Sequence, residues 1–508
     1  MKLLRTLLFL MILAPMIFLL MNRFAVAQSS AVGLDIPAHP SELKFPKLDY
    51  APPKAPNYRK ALKNGVIAYL VEDHEFPLVN VSVIIRTGSY LDPKGKKGLA
   101  AAVGQQLRAG GAKTLTAEQF DEEVDFLAAI LNSGVADTQA TASLNCLSKD
   151  LGKGLELFFE MLRNPRFQQD RLDLYKSQMI QNMERRNDRT ETILAREWAR
   201  LMRGPHHFST AQATKASVES VTREDLIEFH KRYYHPGSFI FAISGDFNSA
   251  DIHARLEKMM EGWSPEKNTV PPVPKPEFAP QPGVYMVNKP DVNQGNVTMG
   301  HLGTMRDNPD FYALSMMDDI LGGGGIFTNR IMSRVRSDEG LAYGAGSNFG
   351  FGVYYDGVFN AGFQSKSPTC AQAAAIVLEE IEKIKTTKVT PEELETAKNA
   401  AVEIFPRYFA RPAQVAGTFA NDEYTKRKPD FWETYRDRIR AVTINDVLRV
   451  AQKYLMPDKM VILAVGNVSD MLEGNPDKPD YSFKKFSKNG EIRFVLLPDP
   501  LTMVYPKE

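Results

Sequence analysis

Val221 to Phe247 reads VTREDLIEFHKRYYHPGSFIFAISGDF, and Val442 to Val468 reads VTINDVLRVAQKYLMPDKMVILAVGNV. At a constant offset of 221 residues, six positions are identical: Val221/Val442, Thr222/Thr443, Asp225/Asp446, Tyr233/Tyr454, Pro236/Pro457 and Gly245/Gly466. Each copy reads as a capped amphipathic helix, a proline turn and an apolar strand that ends at glycine. A period this long predicts a duplicated domain rather than a solenoid. At 508 residues the chain also exceeds what one hydrophobic core supports.

Working outward, the first half starts with strands at Val66–Val71 and Leu78–Arg86, where Val79, Val81 and Val83 share one face. A turn at Asp92–Gly95 leads to a helix over 98–108, closed by Gly110-Gly111. Further helices are predicted over 117–131, 151–162 and 171–203. Residues 264 to 283 carry seven prolines, the composition of a semi-rigid spacer. The second half restarts with strands at Val284–Val287 and Val297–His301. A helix over Phe311–Leu321 then ends in Gly322-Gly323-Gly324-Gly325, mirroring the first helix and its glycine pair.

The first 27 residues stand apart. Lys2 and Arg5 precede an apolar run from Leu7 to Met21, and Ala25-Val26-Ala27 fits a cleavage site before Gln28. Export to the periplasm with cleavage is expected; retention of the run would instead anchor the chain at a membrane. The organisation predicted is a signal peptide 1–27, an extended arm 28–58, a first domain 59–264, a linker 265–283, a second domain 284–470 and an extension 471–508 ending in a short hairpin. Lys plus Arg against Asp plus Glu, 62 to 61, and no basic stripe with aromatics make nucleic acid an unsuitable partner. Cys146 and Cys370 lie in opposite halves, and two cysteines do not make a disulfide scaffold. Whether they pair is open at this stage.

Strand, turn, GLA-type helix and glycine pair in one half, with a glycine run and then RSDEGLAY (336–343) in the other, resemble the pitrilysin and insulysin superfamily of zinc peptidases. The resemblance covers about residues 55 to 470. It is nearest to the short two-subunit bacterial branch related to mitochondrial processing peptidase. It implies an α+β fold of two homologous domains, each a mainly antiparallel sheet covered by helices, arranged as half of a clamshell. It also implies an inverted zinc motif, His-x-x-Glu-His, whose two histidines share a helix face with the glutamate that activates the bound water.

Here Ala101 stands at the first histidine position, Gly104 at the general base and Gln105 at the second histidine. Alanine and glycine offer no ligand or base, and a neutral amide is a poor zinc ligand. The family's last ligand falls at Asn182, with Glu184 nearby on a charged Glu-Arg-Arg face. The eight histidines, at 38, 74, 206, 207, 230, 235, 253 and 301, include no pair spaced to flank a carboxylate on one helix face. The chain is thus expected to bind no metal and to be inactive alone.

Arg336 and Tyr343 match the pair that family members use to hold the substrate backbone and steady the tetrahedral intermediate. An arginine at a helix end and a tyrosine on the next strand can aim donors at one carbonyl oxygen. The plainer alternative is a helix C-cap and a sheet-packing tyrosine. Gly322 to Gly325 follow a helix and lack the lysine of a P-loop, so they read as a flexible chamber-wall loop that lets a peptide approach. The resemblance implies a non-catalytic, substrate-binding subunit. Its partner would be a homologous chain with an intact zinc motif and bound zinc, and its substrates unfolded peptides. The rival is a structural or binding subunit of an envelope assembly.

Overall fold

A computed structural model of the chain describes residues 39, 42–43, 49–264, 270–325 and 327–507. The expected signal peptide, most of the arm over 28–48 and residues 265–269 of the linker lie outside them. Ala51–Glu508 forms one compact unit, apart from Met1–Tyr50.

Two six-stranded sheets carry the architecture. The first uses β1 (Arg59–Ala61), β2 (Ile67–Glu72), β3 (Leu78–Ile85), β4 (Ile130–Val135), β5 (Ala140–Leu147) and β6 (Phe239–Gly245), in the order β1-β2-β6-β3-β5-β4. The second uses β7 (Gly283–Asn288), β8 (Gln294–Leu302), β9 (Ala342–Phe349), β10 (Val358–Lys366), β11 (Val461–Gly466) and β12 (Ile492–Phe494), in the order β9-β10-β8-β11-β7-β12. Matched strand for strand, five positions of the two orders coincide. In each sheet one central pair is parallel, β2 with β6 and β7 with β11, and its inner neighbours run antiparallel. The duplication seen in sequence is therefore a duplication of topology. The sixth position breaks it: β1 pairs antiparallel with β2, whereas β12 pairs parallel with β7. The extension thus contributes a strand to the second sheet where a terminal hairpin was expected, and the chain continues beyond it.

The helices needed below are α1 (Leu99–Ala109), α2 (Ala117–Phe126), α3 (Leu151–Arg163), α4 (Gln169–Glu184), α5 (Thr190–Arg203), α6 (Arg223–Tyr233), α7 (Phe311–Leu321), α8 (Cys370–Thr386), α9 (Pro412–Thr425) and α10 (Ile444–Tyr454). The repeat pair α6 and α10 both open with a reciprocal capping box. The Thr222 hydroxyl accepts from the Asp225 amide while the Asp225 carboxylate accepts from the Thr222 amide, and Thr443 and Asp446 do the same. Each repeat strand is buried along its length because helices cover its faces, which explains the near-continuous apolar runs at Phe239–Ile243 and Val461–Val465. Cys146 and Cys370 are both buried free thiols.

Two expected helices differ. The one over 117–131 stops at Phe126, Ala128 takes a positive φ of 47°, and Ile130–Val135 becomes the edge strand β4. Asn132, Ser133 and Gly134 are poor helix formers, and pairing with β5 satisfies their backbone instead. The one over 171–203 is interrupted after Glu184 and resumes at Thr190. Asn187 and Asp188 fall in the break, where the Asn187 amide donates to the Pro498 carbonyl at 2.9 Å.

The two halves exchange helices. α5, from the first half, crosses β8 and β11, and α9, from the second, crosses β2 and β6. Ile193 and Met202 of α5 bury against Tyr285, Val287, Leu463 and Val465. The Tyr69 ring lies tilted 6.0 Å from that of Phe419 of α9, and its hydroxyl donates to Glu423 at 2.8 Å.

Candidate functional site

The helix that would carry zinc is α1. Gly98 at its N-cap holds a left-handed φ of 103°, and the buried Asp92 carboxylate accepts from the Gly98 and Ala100 amides. Ala101 is half-buried and Gln105 exposed. Gly104 is buried against β4: a Cβ there would sit 2.8 Å from the Val135 nitrogen and 2.9 Å from its Cγ2, and the Ser133 hydroxyl donates to the Gly104 carbonyl. The position read from the sequence as the general base thus lies in a close helix–strand approach that leaves no room for a glutamate. Asn182 and Glu184 are exposed on α4.

Among the described residues no three His, Cys, Asp or Glu side chains gather as a metal site. The histidines have other partners: His207 bonds Ser209 and the Pro274 carbonyl, His230 the Leu162 carbonyl, and His74 pairs with Asp246. Burial pushes the His230 imidazole down to about 4, so it is a neutral core group. A hydrocarbon, a glycine and an exposed amide at the motif positions do not fit a catalytic zinc.

The second half carries a different arrangement. Arg336 lies in a π-helical turn, Ser333–Asp338, and Tyr343 is the second residue of β9, beyond the Gly340 turn, whose φ is 62°. The register of β9 against β10 shifts between Ala342 and Ala345, so Tyr343 and Gly344 bulge from the strand. The Arg336 guanidinium lies 4.9 Å from the Tyr343 ring centroid and 5.2 Å from that of Phe327. These are cation–π distances. Tyr343 is 88% exposed and Phe327 68% exposed. The neighbouring Arg334 is the one that takes the carboxylates, pairing with Asp338, Glu379 and Glu380. Arg336 and Tyr343 are thus brought together. Phe327, absent from the motif reading, joins them; its only signal was an aromatic between the glycine run and RSDEGLAY.

The glycine run is held at one end. The Gly322 and Gly323 amides donate to the Asp318 carbonyl of α7, and the Ser347 amide of β9 donates to the Gly322 carbonyl at 3.0 Å. The Asp318 carboxylate accepts from the Ser347 hydroxyl at 2.6 Å and the Phe349 amide at 3.0 Å. A Cβ on Gly323 would sit 2.6 Å from that carboxylate. Gly324 and Gly325 turn outward with φ of 66° and 65° and are exposed. Burial pushes the Asp318 carboxyl up to about 6; burial, with the Asp318 charge beside it, pushes Asp319 up to about 7.

A duplicated α+β chain with two matched sheets, no histidine or glutamate at positions 101, 104 and 105, and a half-buried Arg336 beside an exposed Tyr343 defines a peptidase-like protein. Residues 68–205 match the insulinase family model, peptidase family M16, and residues 220–401 match the peptidase M16 inactive domain. The chain belongs to peptidase family M16. It is 24% identical over 404 residues to zinc protease PqqE of Helicobacter pylori, covering 77% of this chain and 89% of that one. It is 23% identical over 381 residues to the non-peptidase homolog YmxG of the same organism, covering 74% and 86%. The crystal structure of a peptidase M16 inactive domain from Pseudomonas fluorescens superposes with a TM-score of 0.72 at 25% identity, covering 80% of this chain and 97% of that one.

Proposed function

We propose that this chain is the non-catalytic, substrate-binding subunit of an exported, periplasmic heteromeric zinc peptidase. The observation that carries the reading is the contrast between its two motif regions. β4 packs onto the degenerate base position at Gly104, while Arg336 lies half-buried between the exposed rings of Tyr343 and Phe327. Similarity both to a zinc protease and to a non-peptidase homolog of one bacterium supports a pairing of unlike members of the family.

In this reading a homologous partner holds zinc through His-x-x-Glu-His, and the two chains close as a clamshell around an unfolded peptide. Arg336 and Tyr343 donate to the backbone carbonyl under attack, where donors already in place act on the developing oxyanion. Phe327 and Tyr343 hold the guanidinium in position. Gly324 and Gly325 give the peptide a wall without side chains. Replacing Arg336→Ala is expected to lower turnover by the assembled pair on the order of 100-fold while zinc content stays the same. Unaltered peptide cleavage by that variant removes the role given to the residue.

A further inference from the structure

The sheet faces that the exchanged helices cross are divided in two. On the second sheet, the strands under α5 present Tyr285, Val287, Leu463 and Val465, which are apolar and buried. Beyond them the register carries the same face outward along the rows Gly300–Asn360–Asn348 and Thr298–Gly362–Gly346. Asn296 and Gln364 continue it, with the Asn296 amide donating to Thr190 of α5. Asn348 and Gln364 are exposed, and Asn360 is half-buried.

The first sheet repeats the design. Tyr69 and Ala242 lie under α9, and the same face passes outward into the rows Ser82–Ser143–Asn132 and Asn80–Asn145–Ile130. The Asn145 amide donates to Asn80 at 2.7 Å. Asn80, Asn132 and Ile130 are exposed.

None of these positions is charged, although 24% of the chain is Asp, Glu, Lys or Arg. A sheet face turned merely to water carries charged side chains, because they solvate it and oppose association. Side-chain amides, hydroxyls and glycine do something else: they present donors and acceptors to a backbone and demand no counter-charge. Cations border the rows at Lys366, one step beyond Gln364, at Arg336 beside Tyr343, and at Arg86, one step beyond Ile84, whose guanidinium lies against the Tyr424 ring and donates to its carbonyl.

We infer that these two open half-faces are the docking track of the peptide, and that the track selects extended segments without charge. The inference rests on the substrate-binding reading above and names its substrate class. Away from those bordering cations, a charged residue laid on the rows loses water and gains no partner, whichever its sign, so acidic and basic segments are both disfavoured there. A neutral backbone exchanges its water for amide and hydroxyl partners.

The test is fluorescence anisotropy of the full-length chain with three labelled peptides of equal length. One is rich in Gly, Ser, Asn and Gln, one in Glu and one in Lys. The neutral peptide is expected to bind at least fivefold more tightly than either charged one, with an affinity unchanged between low and 0.3 M salt. Asn360→Asp and Asn145→Asp each place one carboxylate in the wall. Each is expected to raise affinity for the Lys peptide relative to the Glu peptide at least threefold. A charged peptide that binds as tightly as the neutral one overturns this inference alone, as does a Lys/Glu ratio unmoved by both variants. Absence of binding by all three removes the substrate-binding reading as well.

Discussion

Gly104, read from the sequence as the general-base position, is closed off by packing. The missing glutamate is not an empty place on an open helix, because the backbone of Gly134 and Val135 fills the space its Cβ would need. Restoring the motif as Ala101→His, Gly104→Glu and Gln105→His should therefore fail twice. Chemical denaturation is expected to report a loss of about 1–3 kcal/mol, the usual cost of overpacking. Metal analysis is expected to find no stoichiometric zinc. A triple variant as stable as the parent, with one zinc bound, would contradict this account of α1. The substitutions at 101, 104 and 105 were legible from residue type alone. The closure of the space was not, since it depends on β4, whose first two residues the sequence pattern placed at the end of a helix and whose remainder it left unassigned. Phe327 was missed for a related reason: a lone aromatic has no periodicity, and only the fold sets its ring against Arg336.

Asp318 joins three elements: the end of α7, the glycine run and β9. Its carboxyl is pushed above its ordinary value, chiefly by burial, so the folded state holds its proton more tightly than the unfolded state. Stability from this group is complete below about pH 4 and is lost as pH rises to about 6. Asp318→Asn keeps an acceptor of the same shape but does not ionise. Relative to the parent, the variant is expected to gain about 2–3 kcal/mol between pH 4 and pH 7, read as the difference of two urea midpoints. A difference that stays flat with pH would show that the clasp does not titrate. Elements were legible where the period was strong and the caps were marked, as in α6 and α10, whose Thr and Asp boxes sit where the repeat places them. They were not legible at 130–135 or 185–189. There short apolar or polar stretches suit two conformations, and distant partners, β5 in one case and Pro498 in the other, decide between them.

Across the whole molecule the halves are tied by exchange. α5 and α9 each cover the other half's sheet, and the C-terminal segment returns from β12 to the first half. On that return the Leu501 carbonyl accepts from the Lys215 amide, and the Pro500 carbonyl accepts from Arg186 at 3.0 Å. The Tyr505 hydroxyl donates to the buried Glu197 carboxylate at 3.0 Å, with its ring 3.6 Å from the Arg200 guanidinium. Tyr505→Ala is expected to cost about 2 kcal/mol in denaturant and to speed proteolysis of the C-terminal segment. An unchanged midpoint and cleavage rate would show that the return segment adds no rigidity. The duplication made the two-sheet plan readable from sequence. The exchange of helices and the added strand β12 were not readable, because no local pattern records which sheet a helix will cross.

The central claim is that this chain works beside a catalytic relative. Its most direct test is a native pull-down of the tagged chain from its own cells, with identification of whatever co-purifies stoichiometrically. A homologous chain carrying His-x-x-Glu-His, with zinc, is the result expected. Recovery of a lone homodimer, or of an unrelated membrane assembly, would contradict it.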